Sequence, residues 1–167
     1  MKAKLIALMT ALIVPFIAVS QSPVRGQKSF GITTGYVTSN RSASAGIEFS
    51  YAFSRRVVID ASVDYIFRNN NRDGILINID YHGPWQIGNG KWYLYHILGI
   101  NYSAWSRHSV DSELRDITTP RRHFGLDGGA GVAFNVSSTL RLHLQGKYNW
   151  APGNSTALFN AGISYIF

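Results

Sequence analysis

Nucleophilic catalysis needs a nucleophile, a base within reach and a group that orients the base. The local candidates here are poor. Arg107-His108-Ser109 falls in a segment that reads as loop, and His143 is followed by Leu144 and Gln145. Metal binding fares no better on spacing, because His82, His96, His108, His123 and His143 are scattered and there is no cysteine. The glycines of "GLDGGAGVAF" (125–134) lack the Lys-Ser/Thr pair and the helix that a phosphate loop requires. In a sheet such glycines leave room for close packing and kinks. No catalytic set, cofactor site or metal site is therefore expected. What does recur with a regular spacing is charge. Glu48, Asp60, Asp64, Asp80, Asp127, Arg141 and Lys147 stand at alternate positions among small and polar residues, together with Asn78 and Gln145.

Such a period of two belongs to strands. Cut at its Gly, Asn, Ser, Asp and Pro clusters, the chain yields eight segments. These are Lys28–Val37, Ala45–Phe53, Val57–Phe67, Ile75–His82, Trp92–Trp105, His123–Phe134, Leu140–Trp150 and Thr156–Phe167. None shows a sustained helical period. The fifth segment is less clean, since "WYLYHIL" is apolar on both faces. Simple alternation turns His96 toward the apolar side, so a bulge or an interfacial position is expected there. Ahead of the strands, Lys2 and Lys4 precede a short apolar run interrupted by Pro15 and followed by Ala18-Val19-Ser20. That is the pattern of a secretory leader cut after Ser20 rather than of a membrane helix. Residues 1–20 are therefore expected as a cleaved signal peptide and 21–167 as one domain. No later apolar stretch is long enough for a membrane helix.

The contents of the two faces discriminate between a soluble ligand-binding barrel and a membrane barrel, which strand number alone does not. The charged residues share their face with Gly, Ala and Ser, which suits a narrow, filled interior. The opposite face is bulky and almost free of charge. It is also graded along the strands. Ile32, Ile47, Ile77, Ile100, Leu142 and Ile163 occupy the middles. Aromatic residues gather toward the ends: Tyr36, Phe53, Tyr65, Phe67 and Tyr81 in the first half of the chain, Tyr102, Phe134, Tyr148, Trp150 and Tyr165 in the second. A hydrocarbon-facing band between two aromatic girdles is the signature of a transmembrane barrel. In lipid every backbone donor and acceptor must be paired, so the sheet must close. The predicted fold is an all-β, eight-stranded antiparallel up-and-down transmembrane β-barrel. With both termini on one side, "TSNRS", "RNNNRDG", the long Ser106–Pro120 stretch and "APGNS" form the loops at the far end. "SRR", "GPWQIGNGK" and "NVSS" form the turns at the near end, and "GPWQIGNGK" is longer than such a turn should be.

The last residues, "FNAGISYIF", end on a bare aromatic, with Ala161, Ile163, Tyr165 and Phe167 in one phase. That ending resembles the signal by which outer-membrane barrels are handed to their assembly machinery. The whole segment 21–167 resembles the small outer-membrane β-barrel proteins of the OmpX/OmpA-barrel kind. "KWYLYHILGINYSAW", "FGLDGGAGVAFNVSSTLRLHLQGKYNW" and the terminal strand look most like the outer-membrane β-barrel domain family. The resemblance implies an outer-membrane location, termini in the periplasm and outward-facing long loops. Some barrels of similar size are lipid A-modifying enzymes, and the deacylase type carries His and Ser two apart on one outer strand face. Neither His108 nor His143 has that spacing.

The formal net charge is +7. Nucleic acid is not the implied partner, because Arg41, Arg68, Arg72, Arg107, Arg115, Arg121 and Arg122 fall at or near the outward loops. Arg pairs well with phosphate, and lipopolysaccharide phosphates lie at that level of such a membrane. The expectation is a monomeric, non-enzymatic surface barrel for envelope integrity or adhesion. A small pore and a lipid A-modifying enzyme are the alternatives. Inside, cross-barrel ion pairs Asp60–Arg141 and Asp64–Lys147 are expected, with Glu48, Asp80 and Asp127 sharing the basic groups. Because acids outnumber these bases, either Arg121 or Arg122 reaches inward or a carboxyl stays protonated.

Overall fold

The computed structural model describes residues 23–88, 90–110 and 116–167, so the expected leader and Arg115 lie outside the described residues. Eight strands follow one another: β1 (Lys28–Val37), β2 (Ser42–Ser54), β3 (Val57–Asn69), β4 (Arg72–Ile87), β5 (Trp92–Val110), β6 (Asp116–Asn135), β7 (Leu140–Trp150) and β8 (Thr156–Ile166). Each pairs antiparallel with the next, and β8 returns to β1 to close the barrel. The seam runs from Ser29 opposite Ile166 to Val37 opposite Leu158. Phe167 extends it, exchanging backbone bonds with Lys28 at 2.9 and 3.0 Å. The last residue is therefore stitched to the first strand.

Several strands run further than the turn signals indicate. "RNNNRDG" shrinks to a two-residue turn, in which Asn70 and Asn71 both have positive φ (48° and 58°) between paired Asn69 and Arg72. Two consecutive left-handed residues make the type I′ geometry that matches strand twist, and Asn tolerates it. "GPWQIGNGK" is mostly strand as well. Gly83–Ile87 continue β4 and pair with Trp92–His96, so the near-end turn is short after all. Pro84 is accommodated because β3 pairs with β4 only as far as His82; below it β4 is an edge. The Ser106–Pro120 stretch holds the largest extension. β5 and β6 remain paired out to Val110 opposite Asp116, while β7 joins β6 only from Leu126 onward. Pro120 again lies in the stretch with one neighbour.

The alternation has the polarity of a barrel turned inside out. Leu98 and Leu144 on the outer face are each 59% exposed, whereas Asp64, Asn78 and Asp80 inside are each 1% exposed. β5 keeps its phase throughout, with no bulge in either of its registers. Tyr93, Tyr95 and Ile97 all turn inward and are buried. His96 stays on the outer face near the end that bears the termini. Its ring covers Gly83 and lies 5.4 Å from Tyr81 and 4.9 Å from Trp85. The expected bulge is therefore absent, and His96 keeps the outward phase among the aromatic residues of that end.

Candidate functional site: the charged lumen and the arginine rim

Alternation on eight strands delivers Glu48, Asp60, Asp64, Asp80, Asp127 and Lys147 to the interior, all buried. At its centre Lys147 Nζ sits 2.7 Å from Asp80 Oδ2 and 4.0 Å from Asp127 Oδ2. With its oxygen toward Lys147 Nζ at 3.3 Å, the Asn78 amide donates to Asp127 Oδ2 at 3.2 Å and bridges the pair. Asp127 Oδ1 also accepts from Asn101 at 2.6 Å and from Asn149. A buried charge is tolerable only when paired and hydrogen-bonded, and this group meets both conditions.

The cross-barrel partners differ from those expected by opposing β3 to β7. Lys147 binds Asp80 on β4 rather than Asp64, because the stagger that closes a barrel displaces opposite strands along the axis. Asp64 is held by neutral donors instead, Thr33 Oγ1 and the Asn160 amide, each at 3.3 Å. Arg141 does not reach Asp60. It lies at the end with the termini, donates from Nε to Asn135 Oδ1 at 2.9 Å, and stands 5.6 Å from the Tyr93 ring centre. Arg121 has the inward phase of its neighbour Trp105 but stays at the mouth of the loop end, exposed, and Arg122 faces outward.

Apolar plugs close the polar centre at both ends. Val37, Ile66, Leu76, Trp105 and Leu158 form a buried cluster toward the loops. Tyr93, Tyr95, Ile97 and Ala133 form another toward the termini. Tyr95 fits because residue 131 is glycine: its ring occupies the space that a side chain there would need. Its hydroxyl donates to Gln145 Oε1 at 3.3 Å.

Two inward histidines gain partners that spacing along the chain does not reveal. His143 Nε2 lies 3.2 Å from Glu48 Oε2, and its Nδ1 is 3.4 Å from Ser164 Oγ. Ser, His and Glu thus meet, but not as a nucleophile with its base. Ser164 donates to Glu48 Oε1 at 2.7 Å, so its single proton is directed at the carboxylate. The trio also faces a cavity of only ≈ 50 Å³. That is space for water, not for an acyl chain. His82, on the same face of β4 as Asp80, joins Asp80 and Asp60, with one ligating atom from each within 4.8 Å of the others. Cross-strand register makes this cluster, since Asp60 stands opposite Asp80.

At the loop end, Arg72, Arg107 and Arg121 come from three adjacent strands and line a recess of ≈ 90 Å³ with Trp105, Thr119, His123 and Asn154. Arg72 lies 4.0 Å over the Trp105 ring and donates to Asn154 Oδ1 at 2.6 Å, so it is fixed in place. His108 Nε2 contacts Asp73 at 2.6 Å beside it. Among the described residues no carboxylate lines the recess.

The outer face carries its aromatic residues toward the two ends. Phe53, Tyr81, Phe134 and Tyr165 lie near the termini, with Trp85 and Trp92 beside them. Tyr36, Tyr65, Phe67, Tyr102, Tyr148 and Trp150 lie near the loops. Ile163, Tyr165 and Phe167 are outward and exposed, the last two rings stacked at 6.2 Å.

No family model matches this chain, and no curated protein does. Solved structures do. The N-terminal β-barrel domain of OprF from Pseudomonas aeruginosa aligns over 87% of this chain and 100% of its own, with a TM-score of 0.71 at 10% identity. Ail, the attachment invasion locus protein of Yersinia pestis, aligns over 86% and 100%, with a TM-score of 0.58 at 16% identity. The surface protein NspA of Neisseria aligns over 83% and 95%, with a TM-score of 0.59 at 14% identity. The fold is that of the small eight-stranded outer-membrane β-barrels.

Proposed function

We propose that this protein is an integral outer-membrane barrel without a permanent channel, which supports the envelope and displays its loop end for interaction. The observation that carries this reading is the pairing of an apolar exterior with an interior closed by a buried ion pair and two apolar plugs. A protein soluble without detergent, with no change in gel mobility on boiling, would overturn the membrane assignment. Planar-bilayer recording is expected to show no steady conductance steps; regular steps would favour the pore instead. Lipid A mass spectra are expected to be identical with and without the protein, consistent with the misdirected Ser164 proton.

The arginine rim supports contact with lipopolysaccharide phosphates. Arg107 and Arg121 are offered beside a fixed Arg72, and guanidinium pairs with phosphate through parallel hydrogen bonds. The Arg107→Gln/Arg121→Gln double variant is expected to lose most lipopolysaccharide binding while keeping its heat-modifiable fold. Equal binding by the variant would remove the rim from this role. Export through a cleaved leader and delivery by the barrel-assembly machinery complete the reading. Deleting Phe167 is expected to lower insertion in cells far more than refolding into detergent, where the seam still has the Ser29–Val37 pairings. The protein is expected to sediment in detergent as a monomer.

A further inference from the structure

The lumen is over-supplied with acid. Among the described residues, Glu48, Asp60, Asp64, Asp80 and Asp127 are buried inside. The basic groups facing them are Lys147, Arg141 and His143; Arg141 is engaged at the rim by Asn135 and Tyr93, and His143 stands against Glu48, which also accepts from Ser164. Asp64 and Asp127 are satisfied by amides and a hydroxyl. The deficit therefore concentrates on β3 and β4, where Asp60 stands directly opposite Asp80. Among the described residues no hydrogen bond or ion pair reaches Asp60. Asp80 uses Oδ2 for Lys147 and leaves Oδ1 buried without a partner, although the residue is 1% exposed. His82, two residues on and in the same phase, has a buried Nε2 that is also unpartnered. Unsatisfied buried polar atoms are rare and costly. Here two fall in one three-residue cluster.

We propose that Asp60, Asp80 and His82 form a binding site for one divalent first-row transition cation. Their ligating atoms lie within 4.8 Å of one another; donors around one ion with bonds of about 2.0–2.2 Å stand at most about 4.4 Å apart, so small side-chain rotations close the set. One imidazole nitrogen and two carboxylates suit Zn²⁺, Mn²⁺ or Fe²⁺, and exclude the soft thiolate-seeking ions. The neighbouring cavity of ≈ 50 Å³, lined by both Asp60 and His82, has space for water to complete the coordination. That cavity lies toward the termini, and so does the approach for the ion. Asp80 then bridges the cation through Oδ1 and Lys147 through Oδ2, and the ammonium orients the ligand as outer-sphere partners do. The ion's work is structural: it offsets the acid excess and ties β3 to its neighbour β4 on the lumen face.

The test uses the full mature chain in detergent, stripped with a chelator. Zn²⁺ and Mn²⁺ are titrated by calorimetry and by competition with a chromophoric chelator, and Mn²⁺ is followed by electron paramagnetic resonance. One equivalent should bind and raise the temperature at which gel mobility shifts, as any ligand of the native state does. His82→Gln and Asp60→Asn should each weaken binding more than about tenfold. His108→Gln, which removes the other His–Asp pair at the loop end, should leave it unchanged. Asp60→Asn keeps the shape of a side chain that has no partner to lose, so it folds even where His82→Gln does not. Absence of saturable binding to the wild type overturns the proposal. So does equal affinity in Asp60→Asn, or a loss confined to His108→Gln, which places the ion at Asp73 instead.

Discussion

The two halves of this lumen handle buried carboxylates by opposite means. Toward the loops, Asp64 and Asp127 are wrapped by Thr33, Asn160, Asn101 and Asn149, and the plug around Trp105 closes over them. Toward the termini, Glu48 accepts from Ser164 and faces His143, but Asp60 has no donor among the described residues and stands beside an unpartnered His82 nitrogen and a small cavity. Lys147 stands between the halves and serves both through Asp80 and Asp127. The contrast shows that a filled lumen need not be a finished one. The carboxylates of the loop half, Asp64 and Asp127, are satisfied by neighbouring side chains, whereas Asp60 in the terminal half is not.

Breaking the boundary between the halves has the largest expected effect. Lys147→Met removes the one cation in contact with Asp80 among the described residues and leaves Asp80 and Asp127 without it in the interior. Removing one partner of a buried pair costs about 3–5 kcal/mol. Unfolding by urea in detergent micelles should shift by that much, and Lys147→Met combined with Asp80→Asn should recover part of it. A shift no larger for the single change than for the double would mean that Lys147 is a packing element and not the charge centre. Trp105→Ala comes next. Large-to-small changes of a buried aromatic cost about 3–5 kcal/mol, and this one also removes the ring beneath Arg72. The terminal plug remains, so the variant should still fail to conduct.

Strand number, strand phase and the inward set of charges are legible because a period of two encodes them locally. Glu48, Asp60, Asp64, Asp80 and Lys147 sit on the predicted face for that reason. Partners are not legible, because they depend on stagger. Asp60 and Asp80 are 20 positions apart in the chain and meet only through the β3–β4 register. The same holds for His143, Glu48 and Ser164. Strand ends misled wherever turn-forming residues lie on a strand with one neighbour, as at Pro84 and Pro120. "WYLYHIL" misled for another reason. Inward Tyr93 and Tyr95 look like a phase slip until Gly131, far along the chain, is seen to make room for a ring.

Among the acids themselves, the two halves should respond differently to the same change. Asp64→Asn keeps volume but turns an acceptor into a mixed group facing Thr33 and Asn160, both of which donate to it. Both donate to Oδ1, which the Asn carbonyl can replace, so the loss is of a charged acceptor for two buried donors and of the Oδ2 acceptor, where a buried N–H now stands, at a cost of about 1–3 kcal/mol.

Asp60→Asn should have the smallest effect on the metal-free protein, and its sign is informative. Asp60 has no donor to lose among the described residues; it stands opposite Asp80 and shares its cavity with Glu48. Neutralising it relieves like-charge repulsion without orphaning a partner, so stability in chelator should be unchanged or raised by about 1 kcal/mol or less. In the presence of Zn²⁺ the order should reverse, because the wild type gains the ion's binding energy and the variant does not. Urea midpoints measured for both proteins in chelator and in Zn²⁺ decide the matter. A variant destabilised in chelator as much as Asp64→Asn would mean that Asp60 already has a partner, and the two halves of the lumen would then be alike.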